Sequence, residues 1–284
     1  MKIPSEKKQQ PVEIINHATH IIGFAGAAQS GKNVSAAYYT MLAWRTHNLV
    51  ENFEIDGQGK IIIYDLKGFK FPRGKIFDPV TFNNDEETDN ILRTCFPHPL
   101  NIAQQAALGD SLKEVIHLMF GVDTNLLWGT DKQKAQETAY SANQFISLLG
   151  ASRFPFKDKK GSDKMTVREI LQCFGTEVGR RIDENIWCNR FVERIYRMIN
   201  QWRPMLILVP DVRFEEEIDT IRQMNGTIIG LTRQIRSSAK KDHASEKIDK
   251  IINRCDIVIN NDQMSIKEQC LELFPIFSQI VTKT

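Results

Sequence analysis

Gly23-Phe24-Ala25-Gly26-Ala27-Ala28-Gln29-Ser30-Gly31-Lys32-Asn33 is the stretch that decides the fold. Gly26 to Lys32 fits G-x-x-x-x-G-K and follows the apolar run Ile21 to Ala25. Behind it Val34, Tyr38, Met41, Leu42 and Arg45 recur on successive helical turns, so the glycine loop joins a strand to a helix. A loop in that context cradles phosphate. Backbone N–H groups from Gly26 to Lys32 point at a polyphosphate, and the helix N-terminus adds partial positive charge. Lys32 is expected to reach the β and γ oxygens of a bound nucleotide. One position departs: Asn33 stands where Ser or Thr normally offers a hydroxyl to Mg²⁺.

The rest of the composition is that of a globular chain. Its 284 residues are enough for one sizeable α/β core, with 42% hydrophobic and 25% charged residues. A formal net charge of +2 gives no case for a nucleic-acid partner. No apolar run approaches the roughly 18 residues of a membrane span. Met1 to Pro11 is rich in Lys and Gln without an apolar centre, which reads as a mobile tail rather than a secretory signal. Cys95, Cys173, Cys188, Cys255 and Cys270 are scattered and odd in number, the pattern of a reducing cytoplasm without structural zinc. The expected compartment is the cytoplasm, that of a host cell if the gene is carried by a phage.

Along the chain, strands alternate with helices. A helix is expected from about residue 31 to 50, a strand over Lys60–Asp65, and an irregular insertion from there through about Asp89. Helices follow from near Ser111 to Gly121 and from near Gln133 to Leu149, then the polar loop Lys157–Lys164. Thr166-x-x-Glu169 is a capping box that opens a helix carrying Val167, Ile170, Leu171, Phe174 and Val178. Another helix runs from about Glu184 to Trp202, stopped by Pro204, before the continuous apolar strand Met205–Val209. A helix over Phe214–Met224 ends at Asn225-Gly226, with strands at Thr227–Leu231 and Asp256–Ile259. Ser265-x-x-Glu268 caps a last helix that Pro275 should kink or end. The fold class is therefore α/β, a P-loop-type parallel sheet flanked by helices with nucleotide-kinase-like insertions. We expect a flexible tail over 1–19 and one domain over 20–284, insertion-rich at 51–108 and helical and lid-like at 122–165.

Several polar residues fall where such a sheet binds ligands. Met205–Val209 delivers Asp211 and Arg213 to a carboxyl end, where Asp can hold a hydrated Mg²⁺ and Arg can clamp phosphate. The bland alternative is an Asp helix cap and a surface Arg. Lys113 near a helix start, and Arg168, Gly175, Thr176 and Arg180 along one helix, carry the same choice between surface and site. Gly175 and Gly179 each cost about 1 kcal/mol in a helix interior, which implies close packing or close ligand approach. Spacing alone favours a core role for Trp187. The cations from Arg233-Gln-Ile-Arg236 to Lys240-Lys241 read either as a solvated loop or as a segment that closes over phosphate.

Taken in order, these pieces resemble the phage-type deoxynucleoside monophosphate kinases, a branch of the P-loop nucleotide kinases. The residues that carry the resemblance are Gly26 to Asn33, Asp110-Ser-Leu-Lys113, Arg168 with Gln172-Cys-Phe-Gly175-Thr176-Glu177, and Trp187. They continue through Val209-Pro-Asp211-Val-Arg213, the acidic Glu215-Glu-Glu217, Gly226 to Arg233, and His243-Ala-Ser-Glu246. The resemblance spans roughly residues 20–280. It implies that Gly26, Ala27, Ala28, Gln29, Ser30, Gly31, Lys32, Asn33 and Val34 bind ATP. Lys113, Arg168 and Arg213 would hold the monophosphate; Gly175, Thr176 and Trp187 would line the acceptor pocket, and Glu217 joins that set. In this branch the residue after the loop lysine is often Asp, so Asn33 is less anomalous. Val34 stands where Thr is common, which moves Mg²⁺ toward water, substrate phosphates and Asp211. Lys32, Asp211 and Arg213 would carry catalysis of ATP + dNMP → ADP + dNDP, with residues 150–165 or 233–246 closing over the site. Two alternatives stay open: another small-molecule P-loop kinase, or a nucleotide-gated assembly protein with slow ATP hydrolysis. The sequence does not decide between monomer and homodimer.

Overall fold

The computed structural model describes residues 19–27, 29–77, 86–95, 98–233 and 248–281. Its strands are β1 (His20–Gly26), β2 (Phe53–Ile55), β3 (Ile61–Leu66), β4 (Phe69–Phe77), β5 (Ala103–Gln105), β6 (Glu137–Ser141), β7 (Lys164–Thr166), β8 (Leu206–Val212), β9 (Thr227–Leu231) and β10 (Ile257–Ile259). Five of them form a parallel sheet in the order β10-β9-β1-β8-β5. This is the α/β arrangement expected from the sequence.

Alternation along the central strands explains why both faces are covered. Ile22 and Phe24 of β1, with Leu206 and Leu208 of β8, pack on one side against Tyr39, Met41 and Trp44 of the helix Lys32–Thr46. Ile21 and Ala25, with Ile207 and Val209, pack on the other against Phe191 and Ile195 of the helix Ile186–Trp202 and Ile218 and Ile221 of the helix Glu215–Gln223. Successive side chains on a strand point to opposite faces, so a continuous apolar run fills two cores at once. A third cluster, with Ile116, Leu127, Phe145, Met165 and Ile170 at its centre, holds the helical region beside the sheet.

Three expectations change. The expected helix near Gln133–Leu149 is two short helices, Asp131–Lys134 and Ala142–Leu149, separated by β6, which pairs antiparallel with β7. A fresh capping box, Ser141 with Gln144, starts the second helix and overrides the apolar periodicity that made one helix plausible. The insertion-rich region is more regular than expected. Lys60–Asp65 corresponds to β3, the centre of a separate antiparallel sheet β2-β3-β4, while the short β5 that completes the main sheet has no sequence signal of its own. The last helix runs from Ile266 to Val281 straight past Pro275. Leu273 and Phe277, buried on either side of the proline, anchor it against the Lys32–Thr46 helix, and the Tyr39 hydroxyl donates to Leu273 O at 3.0 Å. That packing outweighs one missing N–H.

Candidate active site

The phosphate loop leaves β1 at the middle of the sheet, and its shape depends on glycine at two points. Gly26 has φ +145°, and a Cβ there would meet Leu231 O of β9 at 2.4 Å; Gly31 has φ +95°. Either position would be strained with any other residue. Lys32 follows at the first turn of its helix, with only 7% of its surface exposed. Its ammonium donates to the carbonyls of Gly26 at 2.9 Å and Ala27 at 2.5 Å. Burial, reinforced by the Arg213 charge and opposed by Asp211, pushes its pKa down to about 8. The cation is thus electrostatically coupled to both residues expected at the end of β8. Ser30 is buried, Gln29 and Asn33 are exposed and Val34 is half-buried; Ala28 lies outside the described residues.

A bulge aims Asp211. β1 and β8 run in register from His20↔Leu206 to Gly23↔Val209, then slip so that Ala25 faces Val212. Pro210 lies at the slip, the kind of irregular strand position where proline is tolerated. Asp211 then turns toward the loop after β5, where its carboxylate accepts from the backbone N–H of Leu108 at 3.0 Å and of Gly109 at 3.3 Å. Burial raises its pKa against those bonds and the nearby Lys113. The chain continues to Arg213, whose exposed guanidinium makes no ion pair among the described residues. Glu217 holds this turn from beneath. Its buried carboxylate accepts from the N–H groups of Arg213 at 2.7 Å and Phe214 at 3.1 Å, and burial, with the Asp211 charge, raises its pKa to about 8.

Beyond Asp211 opens a cavity of about 400 Å³. Lys113, Arg168, Gly175, Thr176, Trp187, Arg213 and Glu217, the substrate residues expected from the resemblance, all line it. Lys113 is steadied by Asp110 at 3.2 Å, whose same oxygen accepts from Trp128 Nε1 at 3.0 Å. Arg168 reaches Asp131 at 2.6 Å across the mouth. The expectation of one regular helix through these residues needs correction. Val167–Gln172 and Arg180–Ile182 are α-helical, and Cys173–Gly179 between them is a π-helix. A π-turn widens the spacing and frees carbonyls. Trp187 Nε1 donates to Gly175 O at 2.9 Å. A Cβ on Gly175 would meet Leu112 at 2.8 Å, and one on Gly179 would meet Trp187 at 2.4 Å. Both glycines therefore serve close packing. Trp187, 8% exposed, is at once core and cavity wall.

Sequence reasoning missed Lys134 and Asp131, which also line the cavity. They sit on the short Asp131–Lys134 helix, fixed by the Thr130/Gln133 capping box. Thr130-x-x-Gln133, just ahead of the expected long helix, was the available signal. The segment 150–165 contributes no residue to the cavity wall; its Lys157 is tied to the carbonyls of Ala151 and Ser152 at 2.8 and 2.9 Å. Of the other expected closing segment, 233–246, all but Arg233 lies outside the described residues, as does the tail through residue 18. No cluster of three or more His, Cys, Asp or Glu among the described residues forms a metal cage. A single partly buried carboxylate beside a phosphate loop suits Mg²⁺, which keeps water and substrate oxygens as most of its ligands. No described helix is long and apolar enough to cross a membrane.

Among curated proteins, none matches the chain. A family model does match, over a stretch that holds Lys113, Lys134, Arg168, Trp187, Asp211, Arg213 and Glu217 and begins downstream of the phosphate loop. That model, for deoxynucleotide monophosphate kinases, covers residues 99–269, more than half of the 284 residues, and the protein belongs to this family.

Proposed function

We propose that the protein transfers the γ-phosphoryl group of ATP to a deoxynucleoside 5′-monophosphate, releasing ADP and the corresponding diphosphate. The observation that carries this reading is the convergence of Lys113, Lys134, Arg168 and Arg213 on one cavity that Asp211 also lines, with Asp211 and Arg213 close enough to Lys32 to act on its charge. Phosphoryl transfer asks little covalent chemistry of the protein; it asks that donor and acceptor be held in line and their charge neutralised. Loop amides and Lys32 hold the donor. The four cations hold the monophosphate, and Gly175, Thr176 and Trp187 wall the nucleoside. Mg²⁺ bound with ATP would neutralise the β and γ oxygens, and Asp211 would hold it through water.

Asp211 also orders the turn before Lys113, since both its oxygens accept backbone N–H groups there. One carboxylate therefore ties the end of β8 to the turn that leads into Lys113. The Arg168–Asp131 pair is exposed, with 52% and 72% of the side chains accessible, so its exchange for a substrate phosphate costs little.

A coupled assay of ADP release against a panel of deoxy- and ribonucleoside monophosphates, and with no acceptor, tests the reading. ADP release should depend on a deoxynucleoside monophosphate. Release at the same rate without any acceptor would overturn it.

A further inference from the structure

We infer that Gln269 and Asn261 are positioning residues for ATP, holding the phosphate loop in its binding shape from below. The inference rests on the loop being the donor site. Gln269 is 1% exposed and Asn261 is fully buried, which is unusual for two uncharged amides far from the acceptor cavity. Both are aimed at the loop backbone. Asn261 Nδ2 donates to Ser30 O and to Gln269 Oε1, each at 2.7 Å. Gln269 Nε2 donates to Ser35 Oγ at 2.8 Å and to Gly31 O at 3.3 Å. Ser35 Oγ in turn donates to Gly31 O at 3.0 Å. The carbonyls of two adjacent loop residues are thereby tied down, and the opposite edge of those peptides is left to present N–H groups outward.

Placement of the pair follows from local sequence. Asn261 comes two residues after β10 ends. Gln269 lies in the first turn of the last helix, whose start is fixed by Ser265 and Glu268: Ser265 N donates to Glu268 Oε2 at 2.7 Å, and Glu268 N to Ser265 Oγ at 3.2 Å. A Cβ on Gly31 would approach Gln269 Nε2 and Oε1 at 2.6 Å, so loop and amide leave each other no slack. Asn261 Oδ1 finds no donor among the described residues. Burying a half-satisfied amide lowers stability, and a buried side chain retained for its donors alone points to a positioning task.

Three variants test this: Gln269→Met, which keeps volume, Asn261→Ala, and Leu273→Ala as a control on the same helix whose side chain contacts the core instead of the loop. Binding of a fluorescent ATP analogue, hydrogen exchange of the peptide spanning the loop, and acceptor KM at saturating ATP are measured for each. Gln269→Met and Asn261→Ala should weaken ATP binding about tenfold and speed loop exchange, with acceptor KM unchanged. Leu273→Ala should lower Tm while leaving ATP binding within about twofold. Unchanged ATP affinity in Gln269→Met would overturn the inference, as would an equal loss in Leu273→Ala. If Gln269→Met fails to fold, Asn261→Ala decides by the same criteria. A wild-type protein that binds no ATP would instead overturn the donor reading beneath it.

Discussion

The proposed donor and acceptor halves of the site are built in opposite ways. The phosphate loop is a contiguous run whose working groups are backbone amides, shaped by two positive-φ glycines and tied down by buried side chains. The cavity takes its cations from five separate segments: the helix Asp110–Phe120, the short helix Asp131–Lys134, the helix Val167–Gln172, the short helix Arg180–Ile182 and the chain after β8. Arg168 and Arg213 are exposed and long, and ordering such a side chain costs about 2 kcal/mol of rotamer freedom. The backbone site is preorganised, whereas the side-chain site is completed by its ligand. Loss of one group should therefore be severe on the donor side and graded on the acceptor side.

The largest effect is expected at Lys32. Lys32→Met removes the one side-chain cation of the loop and should lower turnover roughly a hundredfold or more, with the fold intact by circular dichroism. Near-normal turnover would remove Lys32 from the donor role and erase the contrast between the halves. Arg213→Ala comes next. It should lower kcat/KM for the monophosphate about thirtyfold with ATP affinity nearly unchanged, because its guanidinium has no ion pair to lose among the described residues. Parallel losses for ATP and acceptor would show that the two halves are not separable at this residue.

The same contrast explains what was legible in the sequence. A backbone site needs fixed residue types at fixed spacing, so Gly26, Gly31 and Lys32 announced it, and the apolar runs of β1 and β8 announced the sheet. Lys134 could not be found that way, since any solvated lysine looks alike until β6 interrupts the expected helix and turns the Asp131–Lys134 segment onto the cavity. The Asp211 bulge was equally hidden: a one-residue slip against β1 depends on pairing between strands nearly two hundred positions apart. For Gly175 and Gly179 the sequence left close packing or close ligand approach open, and packing against Leu112 and Trp187 is what is found; the π-turn there had no signal, because helical periodicity carries no mark of a widened turn. Gln269 and Asn261 had no signal at all, since buried amides are recognised by what surrounds them.

A pH profile sharpens the comparison further. Burial lowers the Lys32 pKa to about 8, so its ammonium is present below that pH and is lost as pH rises through it. The profile of kcat/KM for ATP, which reports the free enzyme, should be flat below about pH 8 and fall about tenfold per unit above it. At saturating ATP the bound phosphates favour the charged lysine, so the fall that Lys32 causes should move to higher pH. An ATP profile that stays flat to about pH 9.5 would mean that Lys32 is not the titrating cation of the donor half.

Lys134 is where the smallest effect, and the finest test, is expected. Burial lowers its pKa, aided by Lys113, Arg168 and Arg213 and opposed by Asp131. That is the signature of a cation held among like charges, a cost that a bound anion would relieve. Lys134→Met should raise the acceptor KM about fivefold, less than Arg213→Ala, because Lys113, Arg168 and Arg213 remain to share the phosphate. The discriminating control is Lys132, on the same short helix but exposed and outside the cavity wall. If the cavity recognises phosphate by directed contacts, Lys132→Met should leave the KM within about 1.5-fold. If the two variants match, the acceptor half works by diffuse attraction that added salt would screen over about 10 Å, and its cations are interchangeable. The donor loop, whose amides are fixed by backbone geometry, has no such freedom.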